Sequence, residues 1–464
     1  MRLRRISVPC RASGEKNHFF LLFFPSSIFH EFLPFNWIGN RIVMTERLLQ
    51  FIWQFQYFNL SDLRLVSGEP LQIISPGQFN SNQGPDFLEA KIRIGETTWA
   101  GNIELHLNED DWIRHAHQSD PNFQNIILHV LWTGDEQKLS MPTLELSNRV
   151  SKLLLHKYEE LMFHSGFVPC ANTANDVSNI VWEGWKERLL VERLERKSEM
   201  VEEFLVQSND HWEEVFWWMI ARNFGMKVNA EAFEAISRSI PLNLLAKHKN
   251  QIHQLESFLF GQAGLLSRDF KEDYPIMLKK EYQFYRKKYK LHPINHPIHL
   301  LRMRPGNFPT IRLAQLAMLI HHSLHLFSVI KEVDDISALK DSFLVTANDY
   351  WHYHYLFDEV SPFKEKKLGN DMVSNIIINT VTPVLFAYGR HYHLNHFKNK
   401  SIDWLRACDA EDNVLTRNWQ DLGITNKNAW DSQALIELKK QYCDAKRCLE
   451  CAIGNQLLKS NLRN

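Results

Sequence analysis

Residues 84–106, GPDFLEAKIRIGETTWAGNIELH, decide how this chain folds around its chemistry. Asp86 follows a Gly-Pro turn and opens an alternating apolar run that ends at Gly95-Glu96, a pair suited to a tight hairpin turn. A second alternating run follows, and in residues 102–107, NIELHL, successive side chains point to opposite faces of a strand. Asn102, Glu104 and His106 therefore share one face, and Ile103, Leu105 and Leu107 take the other. A hairpin brings Asp86 back beside Glu104. Two carboxylates so placed offer hard oxygen ligands to one magnesium or manganese ion.

Working outward, residues 45–53, TERLLQFIW, predict a helix entered through a Thr45 cap, with Glu46 in its first turn. Residues 71–74 read as a short strand stopped by Ser75-Pro76-Gly77. Residues 110–117, DDWIRHAH, predict a short helix, and residues 125–132, NIILHVLW, a buried strand rich in branched side chains. The order is helix, strand, strand, strand, helix, strand. Past Met141-Pro142-Thr143 the pattern turns helical. Residues 182–206 mix Glu with Lys and Arg, with Glu192 and Arg196 four apart, which predicts a solvated face. Residues 212–224 and 230–240 predict further helices, with Trp217 and Trp218 in the core. The expected class is α+β: a mixed-sheet αβββαβ domain over residues 44–150, then a mainly α-helical region over residues 170–464, in one or two subdomains.

That element order, with Pro85-Asp86 heading one strand and Glu104-Leu105-His106 on the next, resembles the PD-(D/E)xK nuclease-like core. The resemblance implies a metal-dependent nuclease. Asp86 and Glu104 would bind the metal, His106 would stand where the family carries lysine, and Glu46 would be the further acid on the helix. Asn102, His115 and His117 would support them, and His129 flanks the same place. From about Glu46 onward the chain also resembles a bacterial family, the domain-of-unknown-function 2851 family. The phrases that carry this are GPDF, GNIELH, DWIRH, NIILHVLW, FGQAGLL, RPGNFPTIRLAQLA and YCDAKRCLECAIG. The family name implies no activity and bears on chain organisation. Two rivals to a nuclease stay open: a nucleic-acid-binding scaffold that keeps the core as architecture, and a metal-dependent hydrolase of another substrate.

A formal net charge of -1 over 464 residues excludes a globally basic nucleic-acid binder, so any surface for DNA or RNA is a local patch. Residues 279–290, KKEYQFYRKKYK, interleave Lys279, Lys280, Arg286, Lys287 and Lys288 with Tyr282, Phe284, Tyr285 and Tyr289. They suit either a nucleic-acid groove or a solvated helix whose aromatics face the core. Arg302, Arg304 and Arg312 flank a Pro-Gly turn, where guanidinium forks fit phosphate oxygens or, in a tight loop fixed by Pro305 and Pro309, pair with carboxylates inside the fold.

Six cysteines in a chain of this length do not make a disulfide scaffold, which places the protein in a reducing compartment, the cytoplasm. Cys443, Cys448 and Cys451 have the spacing of zinc or iron–sulfur ligands, with Cys408 or Cys170 as a fourth, or are simply three partly buried thiols. The first 43 residues carry a basic start and FFLLFF, but Pro25, His30, Glu31 and Pro34 interrupt the run too often for a bilayer span, and no membrane association is expected. Met44 is the expected natural start, with an over-extended reading frame or disordered tail before it.

Overall fold

Thr45 caps the first helix, α1 (Glu46–Gln54), its hydroxyl accepting from Leu48 N–H at 3.2 Å. The computed structural model describes residues 44–115, 117, 120–134, 140–300, 305–323 and 325–460. The reading of the first 43 residues, and Arg302 and Arg304, lie outside them. Leu48, Leu49, Ile52 and Trp53 recur at helical spacing and bury one face of α1, while Glu46 and Gln50, one turn apart, stay half-buried.

The sheet follows in chain order: β1 (Leu71–Ser75), β2 (Gln78–Phe79), β3 (Phe87–Ile94), β4 (Thr97–His106), β5 (Ile126–Leu131) and β6 (Thr143–Glu145). Its spatial order is β1-β3-β4-β5-β6, with β2 also paired to β3. The pairs β1/β3, β2/β3 and β3/β4 are antiparallel, whereas β4/β5 and β5/β6 are parallel. The parallel step needs a crossover, and it carries the short helix α2 (Asp110–Arg114). Two strands of this sheet escaped the sequence reading. Gln78–Phe79 is too short for an alternating signal, and Thr143–Glu145 sits where the composition already turns helical.

The β3–β4 turn falls at Gly95-Glu96 as predicted, because Ile94 pairs with Thr97. The register then slips. Ala90 pairs with Gly101 but Phe87 with Ile103, so β3 carries an extra residue, and Glu89 takes a positive φ of 57° there. Continued one residue, the slipped register sets Asp86 opposite Glu104; without the slip it would face Leu105, whose side chain leaves by the other face. Asn102 stabilises the bulge, its Oδ1 accepting from Glu89 N–H at 3.3 Å. Gly101 lets β5 close in, since a Cβ there would stand 2.7 Å from Asn125 O and 2.5 Å from Ile127 Cγ2. Residues 44 onward belong to one compact unit.

After α3 (Lys152–Phe163), the long helix α4 (Asn179–Gln207) is the spine of the helical region and packs on Thr382–His391 and Ala429–Glu437. Its charges correct one expectation. Arg188 and Glu192 do form an exposed pair, but Lys186 and Arg193 are buried, and Arg196 bonds Glu437 rather than Glu192. Lys186 Nζ lies 2.6 Å from Asp431 Oδ1, and Arg193 and Arg196 grip Glu437 at 3.0 and 2.6 Å. Among the described residues, Asn370–His391 is apolar and long enough to cross a membrane, yet 78% of that stretch is buried inside the protein.

Candidate metal centre

Five pieces of chain meet at the buried end of β4. α1 brings Glu46 and Gln50, the residue ahead of β3 brings Asp86, β4 brings Glu104 and His106, the segment closing α2 brings His115 and His117, and β5 brings His129. The sheet register explains the last of these, for Glu104 pairs with His129 across the parallel ladder. Glu104 is the hub. Its Oε2 accepts from Asp86 N–H at 3.0 Å, and its Oε1 lies 3.5 Å from His117 Nε2 and 3.7 Å from His106 Nε2. Asp86 is held in turn, Oδ1 accepting from Gln50 Nε2 at 2.7 Å and Oδ2 from Leu105 N–H at 3.0 Å.

The imidazoles form a second layer. His106 Nδ1 lies 2.8 Å from His129 Nε2, and His106 Nε2 lies 3.2 Å from His115 Nδ1. Trp112 closes the group, edge-on to His106 and His129 at 6.2 and 5.4 Å. Burial favours the neutral form of the inner rings: His106 is driven down to about 2 by desolvation, helped by the neighbouring His129, His117 and His115. Desolvation lowers His129 to about 4, with His117 adding to it, and lowers His117 as well. Neutral rings keep free lone pairs.

The carboxylates respond in the opposite sense. Burial raises Asp86, and the charge of Glu46 adds to it against the stabilising N–H of Leu105. Burial and then the charge of Asp86 raise Glu104, and burial raises Glu46. Like charges crowded in a partly dry site cannot all ionise, so without a cation the group keeps a proton at neutral pH.

These donors fit a metal ion. The ligand nitrogens of His106, His115 and His117 all lie within 4.8 Å of one another, and His117 Nε2 is buried without a hydrogen-bond partner. Ligands about 2.1 Å from one tetrahedral ion stand about 3.4 Å apart. The spacings of 3.2, 3.5 and 3.7 Å among Glu104 Oε1 and the three imidazoles are of that size. Three imidazoles beside carboxylates suit manganese, zinc or iron better than magnesium. His129 completes the arrangement as the partner that fixes the tautomer of His106.

Glu46, Asp86, Glu104, His106, His115 and His117 thus lie together, whereas Asn102 spends its side chain on the bulge. Gln50 was not foreseen; its signal was its place one turn after Glu46 on the same helix face. The basic helix Asp273–Tyr289 buries Tyr282 and Tyr285 and ties Tyr289 to His248 at 2.9 Å. Its aromatics therefore mostly serve the core, with Phe284 the exposed exception. Lys280, Arg286, Lys287 and Lys288 are exposed, and Lys279 pairs with Asp269 at 2.9 Å. Arg312 is buried and bonds Asn307 and Gln315 at 2.7 and 3.0 Å, with desolvation lowering it to about 10. It meets amides, not the carboxylates expected of an arginine inside the loop.

No curated protein and no solved structure matches the chain. A family model described as "Protein of unknown function (DUF2851)" matches residues 46–414, well over half of the chain, and the protein belongs to that family.

Proposed function

We propose that the protein is a metal-dependent phosphodiesterase that cleaves nucleic acid at the Glu104 centre. The observation that carries the reading is the convergence around one carboxylate, Glu104, of two further acids, Glu46 and Asp86, and the imidazoles of His106, His115 and His117. Glu104 with His106, His115 and His117 would hold the ion, and manganese suits this mixed set. Such an ion supplies Lewis acidity, polarising a phosphodiester oxygen and easing the ionisation of water. Asp86 does the proton work. Its carboxylate is fixed by Gln50 and by Leu105 N–H, and its raised proton affinity suits proton exchange near neutral pH. His129 holds the His106 ring in place from behind. The exposed cations of the helix Asp273–Tyr289 supply phosphate contacts without base readout, which predicts salt-sensitive binding. Buried free thiols favour a reducing, cytoplasmic setting.

One observation favours a second reading. Asp86 and Glu104 are each bonded to main-chain N–H groups, so the pair could serve as a strut in a nucleic-acid-binding scaffold. Purified protein incubated with single- and double-stranded DNA and RNA in manganese, magnesium or zinc separates the two. Cleavage that disappears in Asp86→Asn and Glu104→Gln supports the enzyme. Binding without cleavage supports the scaffold. Neither binding nor cleavage with any ion removes nucleic acid as the substrate.

A further inference from the structure

Away from the Glu104 centre, a cavity of about 470 Å³ opens to solvent in the helical region. Its walls are α4, the helices Trp212–Phe224 and Met226–Arg238, and the apolar run Asn370–His391. Small-molecule sites run from roughly 300 to 1,000 Å³, so the cavity has room for a ligand. Its lining divides by chemistry. Arg196, Lys197, Arg222 and Lys227 make a basic part, and among the described residues no carboxylate lines it. Met200, Met219 and Met226 make an apolar part of soft, adaptable thioethers, and Asn223, Asn375 and Asn379 add amides.

The acids behind the lining do not cancel its charge. Glu437 is shared by Arg193 and Arg196 at 3.0 and 2.6 Å, and Glu234 by Arg222 and Arg238 at 2.5 and 2.8 Å. Each carboxylate answers two guanidinium groups, so each pairing leaves one positive charge over. Lys197 has an amide for its partner, Nζ donating to Asn379 Oδ1 at 2.9 Å. Desolvation and then the charge of Arg193 hold its ammonium well below the usual value, against the weaker pull of Glu411. An anion beside Nζ favours the charged form.

Three local features mark the cavity as built for a ligand. Asn223 Oδ1 is buried with no hydrogen-bond partner, and a buried amide oxygen needs one. Met226 takes a φ of 53°, a left-handed conformation that costs energy for a bulky side chain and that gathers at ligand sites. The run Asn370–His391 widens into a π turn at Ile377–Val381, where Thr382 N–H reaches back to Ile377 O. Pro383 has no N–H to give the carbonyl of Asn379 one turn before it, which is a local cause of the widening. Such turns inside α-helices are frequent at functional sites, and this one brings Asn379 and Thr380 into the lining.

We infer that the cavity binds a nucleoside monophosphate, its phosphate meeting the basic side chains and its base lying against the methionines. The charge left over by the two shared acids exceeds one unit, which suits a phosphate dianion better than a single carboxylate. Guanidinium forks match phosphate oxygens, and thioethers pack well on a flat ring. The amides match the donors and acceptors of a base edge, and a ribose hydroxyl or base amino group gives Asn223 Oδ1 the donor it lacks. Binding here breaks no covalent bond and does not depend on the chemistry at Glu104.

The test is calorimetry on the full chain, without divalent metal, against the common ribonucleoside monophosphates, their nucleosides, ribose phosphate and inorganic phosphate. At least one nucleotide is expected to bind roughly tenfold or more tighter than its nucleoside, ribose phosphate or inorganic phosphate. Lys197→Gln and Lys227→Glu should each weaken it by roughly tenfold or more. Lys227 is exposed, so its variant reports on a folded protein even if Lys197→Gln does not fold. Lys247→Glu, the same charge change at an exposed position outside the cavity, and Glu104→Gln should leave the affinity within about twofold. Folded wild type that binds no nucleotide overturns the proposal, as does a nucleotide held no tighter than its nucleoside or ribose phosphate. Equal affinities in Lys227→Glu and Lys247→Glu overturn it too, and loss of binding in Glu104→Gln moves the nucleotide to the metal centre.

Discussion

Asp86 and Glu104 are joined by a crossed pair of contacts: Glu104 Oε2 accepts from the Asp86 main chain at 3.0 Å, while Asp86 Oδ2 accepts from Leu105 N–H, also at 3.0 Å. Main-chain donors fix both carboxylates before any ion arrives, so little reorganisation accompanies binding. Glu104→Gln keeps the shape and an acceptor oxygen but removes the charge at the hub. Manganese affinity, measured by calorimetry, is expected to fall by more than the roughly 10–100-fold that follows loss of a supporting contact. The melting temperature without metal should stay level or rise, because a buried carboxylate that resists ionisation is replaced by a neutral amide.

His129 tests the layer behind. It is fully buried, and its Nε2 meets His106 Nδ1 at 2.8 Å while its own Nδ1 has no partner. His129→Phe preserves the ring against Trp112 and deletes the contact that fixes the His106 tautomer. The expected result is a roughly 10–100-fold weaker metal affinity with the protein still folded. Unchanged affinity would remove His129 from the site.

Most of this centre was legible in the sequence, and the reason is local. Alternation placed Glu104 and His106 on one strand face, and the Gly95-Glu96 turn returned β4 beside β3. The bulge at Leu88-Glu89 was not legible, because no glycine or proline marks it; Glu89 pays for its left-handed backbone with the Asn102 contact. The imidazole set was only partly legible. His115 and His117 leave α2 at its end, and nothing in DDWIRHAH says that the chain turns them back over His106. The buried charges of α4 escaped for a different reason, since a helix built of Glu, Lys and Arg looks solvated until Asp431 and Glu437 arrive from more than two hundred residues away.

The pH dependence has two opposite parts. His106 and His129 are held neutral far below their ordinary value of 6.5, so the unfolded chain binds more protons than the folded one below that pH. Their contribution to stability is full above about 6.5 and is lost as the pH falls toward 4, by up to about 1.4 kcal/mol per pH unit for each ring. Asp86 and Glu104 act the other way. Their raised values make the folded chain hold protons that the unfolded chain releases, so they cost stability as the pH rises from about 4 to neutrality. A cation relieves that cost by taking the protons' place. Adding manganese at pH 7 in weak buffer should therefore release protons, and affinity should climb with pH. Proton release that is unchanged in Glu104→Gln would place the ion elsewhere.

The last prediction concerns the spine of the helical region. Lys186 is 1% exposed and sits 2.6 Å from Asp431 Oδ1 and 2.7 Å from Glu183. Asp431 is itself buried and accepts from Lys427 N–H at 2.9 Å as well. Lys186→Met fills much of the same volume but strands the Asp431 charge, which should destabilise the fold by roughly 3–5 kcal/mol in urea titration at neutral pH. Lys186→Met combined with Asp431→Leu removes both charges, and most of the loss should return; the Lys427 contact, worth about 1 kcal/mol, should not. A double variant no more stable than Lys186→Met would mean that packing of α4 against the helix Ala429–Glu437, and not the ion pair, is what the lysine secures.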